Sequence, residues 1–266
     1  MPDHLAGARE RFVRMLARKL TPFYLPPKTP DDVKLYPNAA HGLVHITGML
    51  ALEPRLQGVQ GIDGPLYFDP YEFQTAVWFH NADRSLALER ALGVKGEGEI
   101  CAALLKGSPF DLRARERITD AMRQHAKKDD EPGDSPLLTA LRIADKVDRF
   151  SATGIWSSAS HLWYLEPYDR KNPFAYGSTS ERGLTSQYGG LFRGLEWVRM
   201  LPSDEARKLI DPMGIRLFIE FIRYLGEEMA RHLGVPNRAE DNIREALGPY
   251  YERYATCDPV KRPYET

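Results

Sequence analysis

The side chains with most chemistry to offer in this sequence are its imidazoles and carboxylates, and several stand in ordered company. His41 and His45 lie four apart in Ala40-His41-Gly42-Leu43-Val44-His45-Ile46, a spacing that on a helix turns both rings the same way. His80 follows the apolar run Ala76-Val77-Trp78-Phe79, so it emerges from the buried end of a core helix, and Asp83 comes one turn later. His125 ends a helical stretch ahead of an acidic loop. Asp145 and Asp148 sit in Leu141-Arg142-Ile143-Ala144-Asp145-Lys146-Val147-Asp148, a mostly apolar segment in which an ionised carboxylate is costly unless paired or bound to metal. Imidazole and carboxylate together suit Zn, Fe, Mn or Ni, and Ca less well. An ion held that way lowers the pKa of a bound water and neutralises charge on a phosphoryl group. Taken singly, a helical histidine is more often a structural residue with a hydrogen-bond partner, and the i,i+4 pair lacks the Glu of the metalloprotease motif.

These residues must be positioned by helices, because helical periodicity dominates the chain. Apolar residues at Leu5, Ala8, Phe12, Met15, Leu16 and Leu20 keep one face, which predicts a helix over residues 5–20. Pro22, Pro26, Pro27 and Pro30 then break the chain into a loop. Further helices are expected over residues 41–52, 71–79, 85–92, 95–103, 112–125 and 137–150, with a polar loop at 127–136. A long loop follows at 168–190, then helices at 191–201, 203–234 and 240–254. No strand is persuasive, and the fold class is all-α.

With 42% hydrophobic and 27% charged residues, the composition is that of an ordinary globular protein, and 266 residues suffice for a single core without staples. A net charge of −1 gives no strong nucleic-acid signal, since sequence-independent binding relies on neutralising phosphates. Cys101 and Cys257 form no CxxC pair, which argues against a disulfide framework or thiolate zinc site. No stretch approaches the roughly 20 apolar residues of a membrane span, and the N-terminus lacks an apolar signal region. The expected location is cytoplasmic. No P-loop and no GxGxxG before a helix is present, which disfavours NTP motors and dinucleotide oxidoreductases.

The combination of residues resembles the HD-domain phosphohydrolases, whose pattern is a helical His, a His-Asp pair on a second helix, and a distant Asp. It is closer still to small bacterial-type HD hydrolases with a Gly-His-x-x-x-His-Ile start and an Ala-Asp-x-Leu-Asp-x-x-Gly-Ala-x-Gly-Ile segment. The first reads here as residues 40–46 and the second as Ala144-Asp145-Lys146-Val147-Asp148-Arg149-Phe150-Ser151-Ala152-Thr153-Gly154-Ile155. The resemblance covers residues 36–230. It implies an HD-domain helical bundle with additional C-terminal helices, as one domain over residues 1–266 with a C-terminal helix and tail at 235–266. It also implies a divalent metal ion (Mn, Fe, Ni, Co, Zn or Mg) on His45, His80 and Asp145. The implied substrate is a small phosphorylated molecule, a nucleotide being the first choice; homo-oligomerisation is left open.

One departure matters. Where the family has His-Asp, this chain has His80-Asn81. Asn81 is neutral, so either Asp83 reaches in as a ligand or metal binding is weakened, leaving a protein that binds without turnover. In the hydrolase reading Asp83 or Asp148 orients or deprotonates the water, while His41, His125 and Lys146 stabilise negative charge. Arg170, Lys171 and Arg182 in the long loop are candidates to grip an anion, although loop charges are usually just solvated. The four tryptophans read as core. A helical interaction module without any site is the remaining class.

Overall fold

The structure, a computed structural model, describes residues 2–25, 41–127, 129–151, 154, 165–176 and 186–256. Its helices are α1 (Pro2–Tyr24), α2 (Leu43–Leu56), α3 (Pro70–Phe79), α4 (Leu86–Leu92), α5 (Glu97–Leu105), α6 (Leu112–Gln124), α7 (Pro136–Asp148), α8 (Gln187–Glu196), α9 (Asp204–Arg207), α10 (Pro212–Leu233), α11 (Ala239–Leu247) and α12 (Tyr251–Ala255), with single 3-10 turns at Ala82–Arg84 and Gly248–Tyr250. The all-α expectation holds: among the described residues β pairing is limited to an isolated bridge between Gln60 and Pro65. None of the described helices is long and apolar enough to cross a membrane. Packing groups the chain into two compact units, Met1–Arg149 with Met200–Leu209, and Phe150–Arg199 with Ile210–Thr266.

In the first unit α3 is the hub, packed against α1, α2, α6 and α7, and α7 also packs against α2 and α6. Both helices start on strong local signals. The Asp69 side chain accepts from the backbone N–H groups of Tyr71 and Glu72, and Ser135 accepts from that of Leu138. Each cap is followed by a proline at the first helical position, where its missing N–H has no intrahelical partner to lose. Phe73, Val77 and Phe79 of α3 are fully buried, each contributing about 1.5–3 kcal/mol of apolar burial. The end of α3 falls at Phe79, so His80 caps it and Asn81 (φ −124°, ψ 18°) leads into the 3-10 turn.

In the second unit the long α10 buries Ile215, Phe218, Ile219, Ile222 and Met229 at three- and four-residue intervals. It packs against α11 and α12, and α8 packs against α11.

Several boundaries differ from the sequence reading: α2 spans Leu43–Leu56 where 41–52 was expected, α8 spans Gln187–Glu196 where a loop to 190 and a helix over 191–201 were expected, and three further differences have local causes. Helix α1 runs on through Pro22 to Tyr24, because a proline in the last turn removes little of the ladder and Tyr24 is anchored by its hydroxyl, which donates to the Trp78 carbonyl at 2.7 Å. The single helix expected over 203–234 is interrupted at 208–211: Pro212 disfavours helix at Asp211, whose side chain instead caps α10 through the Met213 N–H. The last helix is broken where Gly248 adopts φ 53° ahead of Pro249.

Candidate metal centre

Three helices deliver the donors. His45 lies in the first turn of α2, His80 caps α3, and Asp145 lies near the end of α7; His45 and His80 are 1% exposed. His45 Nε2 is 3.3 Å from His80 Nε2 and 3.0 Å from Asp145 Oδ1. One ligand atom from each of these residues falls within 4.8 Å of the others. These separations suit a common ion, since ligands about 2.0–2.2 Å from a tetrahedral centre lie about 3.3–3.6 Å apart.

The ring nitrogens facing away from the cluster are both spoken for. His80 Nδ1 donates to the Val77 carbonyl at 2.6 Å, which leaves Nε2 as a lone pair. His45 Nδ1 lies 2.7 Å from Asp148 Oδ2, and Asp148 is 6% exposed. With Nδ1 held by that buried carboxylate, His45 turns its Nε2 toward Asp145. A carboxylate behind a histidine fixes the tautomer and raises ligand basicity, as in known metal sites. Three acceptors this close repel one another unless a positive charge stands among them, whether proton, guanidinium or metal.

Burial, first, and the charges of His45 and His125, next, hold the His80 imidazole well below its ordinary pKa of 6.5, so it is neutral at pH 7. For Asp145 burial works the other way, but the hydrogen-bonding contact with His45 and then the positive charge of Arg149 outweigh it and keep the carboxyl well below the ordinary range.

Asn81, 4% exposed, points its amide at the same place: Nδ2 is 2.6 Å from His80 Nε2. At the position where an aspartate was expected, this side chain donates to a lone pair that would otherwise face a cation. Rotated by half a turn about its last side-chain bond, Asn81 would present Oδ1 to the same place. Asp83 falls in the 3-10 turn Ala82–Arg84, and its side chain lies outside the described residues.

Of the other expected groups, His125 joins the cluster. Half-buried at the end of α6, it stands edge-on to His80 with ring centroids 5.4 Å apart and donates from Nδ1 to the Met122 carbonyl. Lys146 is buried on α7, 4.0 Å from Asp130 Oδ2; its ammonium has no hydrogen-bond partner among the described residues, and burial lowers its pKa. Asp148 is engaged by His45 and so supports a ligand. Among the arginines of α7 and its C-terminal end, Arg142 joins Asp130 and Asp134, while Arg149 pairs with Asp145. His41 is half-buried in the turn before α2, which starts only at Leu43. The helical i,i+4 argument for His41 and His45 therefore does not hold, because just one of the two is on the helix.

Arg170 and Lys171 are exposed in the second unit, Arg170 paired with Glu166 at 3.4 Å; Arg182 lies outside the described residues. Trp78 is core and Trp197 half-buried, whereas Trp156 and Trp163 lie outside the described residues. Cys101 is buried and free, with its thiol pushed up to about 12 by burial; Cys257 is outside the described residues.

Two residues of the site escaped the sequence reading. Gly48 lies one turn after His45, and a Cβ there would stand 1.8 Å from Asp148 Oδ1 and 2.6 Å from its Cγ. Only glycine lets that carboxylate seat against α2. The signal was a glycine inside a helix, which is destabilising without a reason such as close approach. Arg149 is the other: its guanidinium NH2 is 3.2 Å from His45 Nε2 and 3.3 Å from Asp145 Oδ1. Its signal was the i,i+4 spacing from Asp145.

Arg142, 1% exposed, braces the surroundings. It joins Asp130 and Asp134 of the acidic loop and donates to the Gln124 carbonyl at 3.0 Å, next to His125. Comparison of the chain with protein-family models, with curated proteins and with solved structures returned no match, so the functional reading rests on the chain's own residues.

Proposed function

We propose that the chain is a divalent-metal-dependent phosphohydrolase of the HD type, acting on a phosphate ester or phosphoanhydride of a small metabolite, with nucleotides as the first class to test. The observation that carries the reading is the meeting of His45 Nε2, His80 Nε2 and Asp145 Oδ1, each histidine having its other nitrogen held by an acceptor. His45, His80 and Asp145 would hold the ion. Bound there, it would acidify a water and neutralise phosphoryl oxygens.

The chain's own residues supply the rest. Asp148 and the Val77 carbonyl keep both imidazoles in the ligating tautomer. Asn81 contributes an amide dipole beside His80, and His125 and Lys146 are the groups proposed to stabilise charge as the bond to the leaving group breaks. With Asp148 engaged by His45, the carboxylate assigned to the water is Asp83, on its position in the chain alone.

The test is phosphate release from a panel of nucleotides and phosphomonoesters after stripping the protein with a chelator and reloading it with Mn, Co, Ni, Mg or Fe. Turnover with at least one pairing is expected, reduced at least about a hundredfold in His45→Ala and Asp145→Asn. Absence of turnover with every pairing would count against hydrolysis.

The second reading is a protein that binds a phosphorylated ligand without turning it over, favoured by Asn81 donating to His80 where an anionic ligand was expected. Substoichiometric, easily removed metal in the purified protein would support it.

A further inference from the structure

The donor cluster already contains a cation supplied by the chain. Arg149 is 5% exposed. Its NH2 stands 3.2 Å from His45 Nε2 and 3.3 Å from Asp145 Oδ1, two of the three atoms that would ligate an ion. A guanidinium has five N–H donors and no lone pair, so it cannot serve as a ligand. It can only neutralise the acceptors that a metal would neutralise. Two positive groups a few ångströms apart in a buried site repel strongly; Asp148 is engaged by His45 Nδ1, the residue beside His80 is the neutral Asn81, and the residue after Asp145 is the cationic Lys146.

We infer that Arg149 is a built-in competitor for the metal: its guanidinium and a divalent cation are alternative occupants of the His45–Asp145 acceptor pair, so the ion binds only as the arginine gives up those two contacts. This rests on the metal reading proposed above and adds to it a reason for weak, displaceable binding. It also gives Arg149 a second position. Released from Asp145, the NH2 of the guanidinium is a cationic donor beside the site, the chemistry that recognises a phosphoryl anion.

The competition has a quantitative form. A site whose ligands are free only a tenth of the time shows an apparent affinity about tenfold weaker than its intrinsic one. Removing the guanidinium therefore tightens metal binding, although it removes a buried side chain.

The experiment is Co2+ titration of the full chain, followed by calorimetry and by the visible d–d absorption of the bound ion, for the wild type and for Arg149→Gln, Arg149→Met and Arg149→Lys. Circular dichroism establishes that each variant is folded before titration, and having two neutral variants guards against loss of one. Expected are Kd values at least about tenfold lower for Arg149→Gln and Arg149→Met, and a value within about threefold of wild type for Arg149→Lys, which keeps the charge. Equal or weaker Co2+ binding by the neutral variants, with wild-type binding intact and lost in His45→Ala, would overturn the competition while leaving the metal site standing. No Co2+ binding by any protein in the series would overturn both.

Discussion

Helices α7 and α10 bury their faces by opposite rules. Nearly all of α7 is buried, and its buried set includes Arg142, Lys146 and Asp148. The buried set of α10 is Gly214, Ile215, Phe218, Ile219, Ile222, Gly226 and Met229, with no charge among them. Each helix also carries an arginine bridging two acids: Arg142 joins Asp130 and Asp134, and Arg223 joins Glu220 and Glu240. The first is 1% exposed, whereas the second is 26% exposed with partners about half exposed. An apolar face needs no account beyond stability. Buried charges cost stability unless each is compensated, and their concentration on α7, around His45 and His80, coincides with the group of side chains that could hold a metal ion.

The arginine pair offers the largest contrast. Arg142→Met leaves Asp130 buried without its hydrogen-bonded partner and is expected to destabilise by about 3–5 kcal/mol. Arg223→Met removes a solvent-screened network and is expected to change stability by less than about 1 kcal/mol. Urea unfolding midpoints for the two variants check this; equal losses would mean that burial is not what separates the two arginines.

A glycine pair makes the contrast functional. A Cβ at Gly226 of α10 would meet Ala239 Cβ at 2.6 Å and the Tyr188 hydroxyl at 2.9 Å, while one at Gly48 would strike the Asp148 carboxylate. Both alanine variants are expected to lose about 1–3 kcal/mol through overpacking. Gly48→Ala alone should also weaken Co2+ binding, by about 10–100-fold, because it dislodges the carboxylate that orients His45. Unchanged Co2+ affinity in folded Gly48→Ala would remove Asp148 from the site.

The smallest expected effect is on pH dependence. His80 is held below its ordinary pKa of 6.5 in the folded chain, so the unfolded chain takes up the proton first. Its contribution to stability is present above about pH 6.5 and is lost as pH falls toward the depressed folded value, at no more than about 1.4 kcal/mol per pH unit. Unfolding midpoints measured from pH 8 to 5 with chelator present should fall below about pH 6.5, and less steeply in His80→Gln. An identical slope in that variant would show that His80 titrates alike in both states.

Much of the fold was readable from residue order because helices are local objects. Caps such as Asp69-Pro70 and Ser135-Pro136, and the periodicity around Phe218 and Ile222, act within a few residues of one another. The residue types able to ligate were equally visible at His45, His80 and Asp145. What required the folded chain was every relation across long sequence distance. Asp148 sits 103 residues from the His45 ring it orients. Gly48 makes room for a side chain on another helix, Arg149 enters the acceptor cluster, and His41 stands ahead of α2 instead of sharing the helix with His45. Local hydrogen bonding and apolar spacing are written in neighbouring residues; the partner of a buried charge is chosen by the packing of α2, α3 and α7, which no short window of sequence contains.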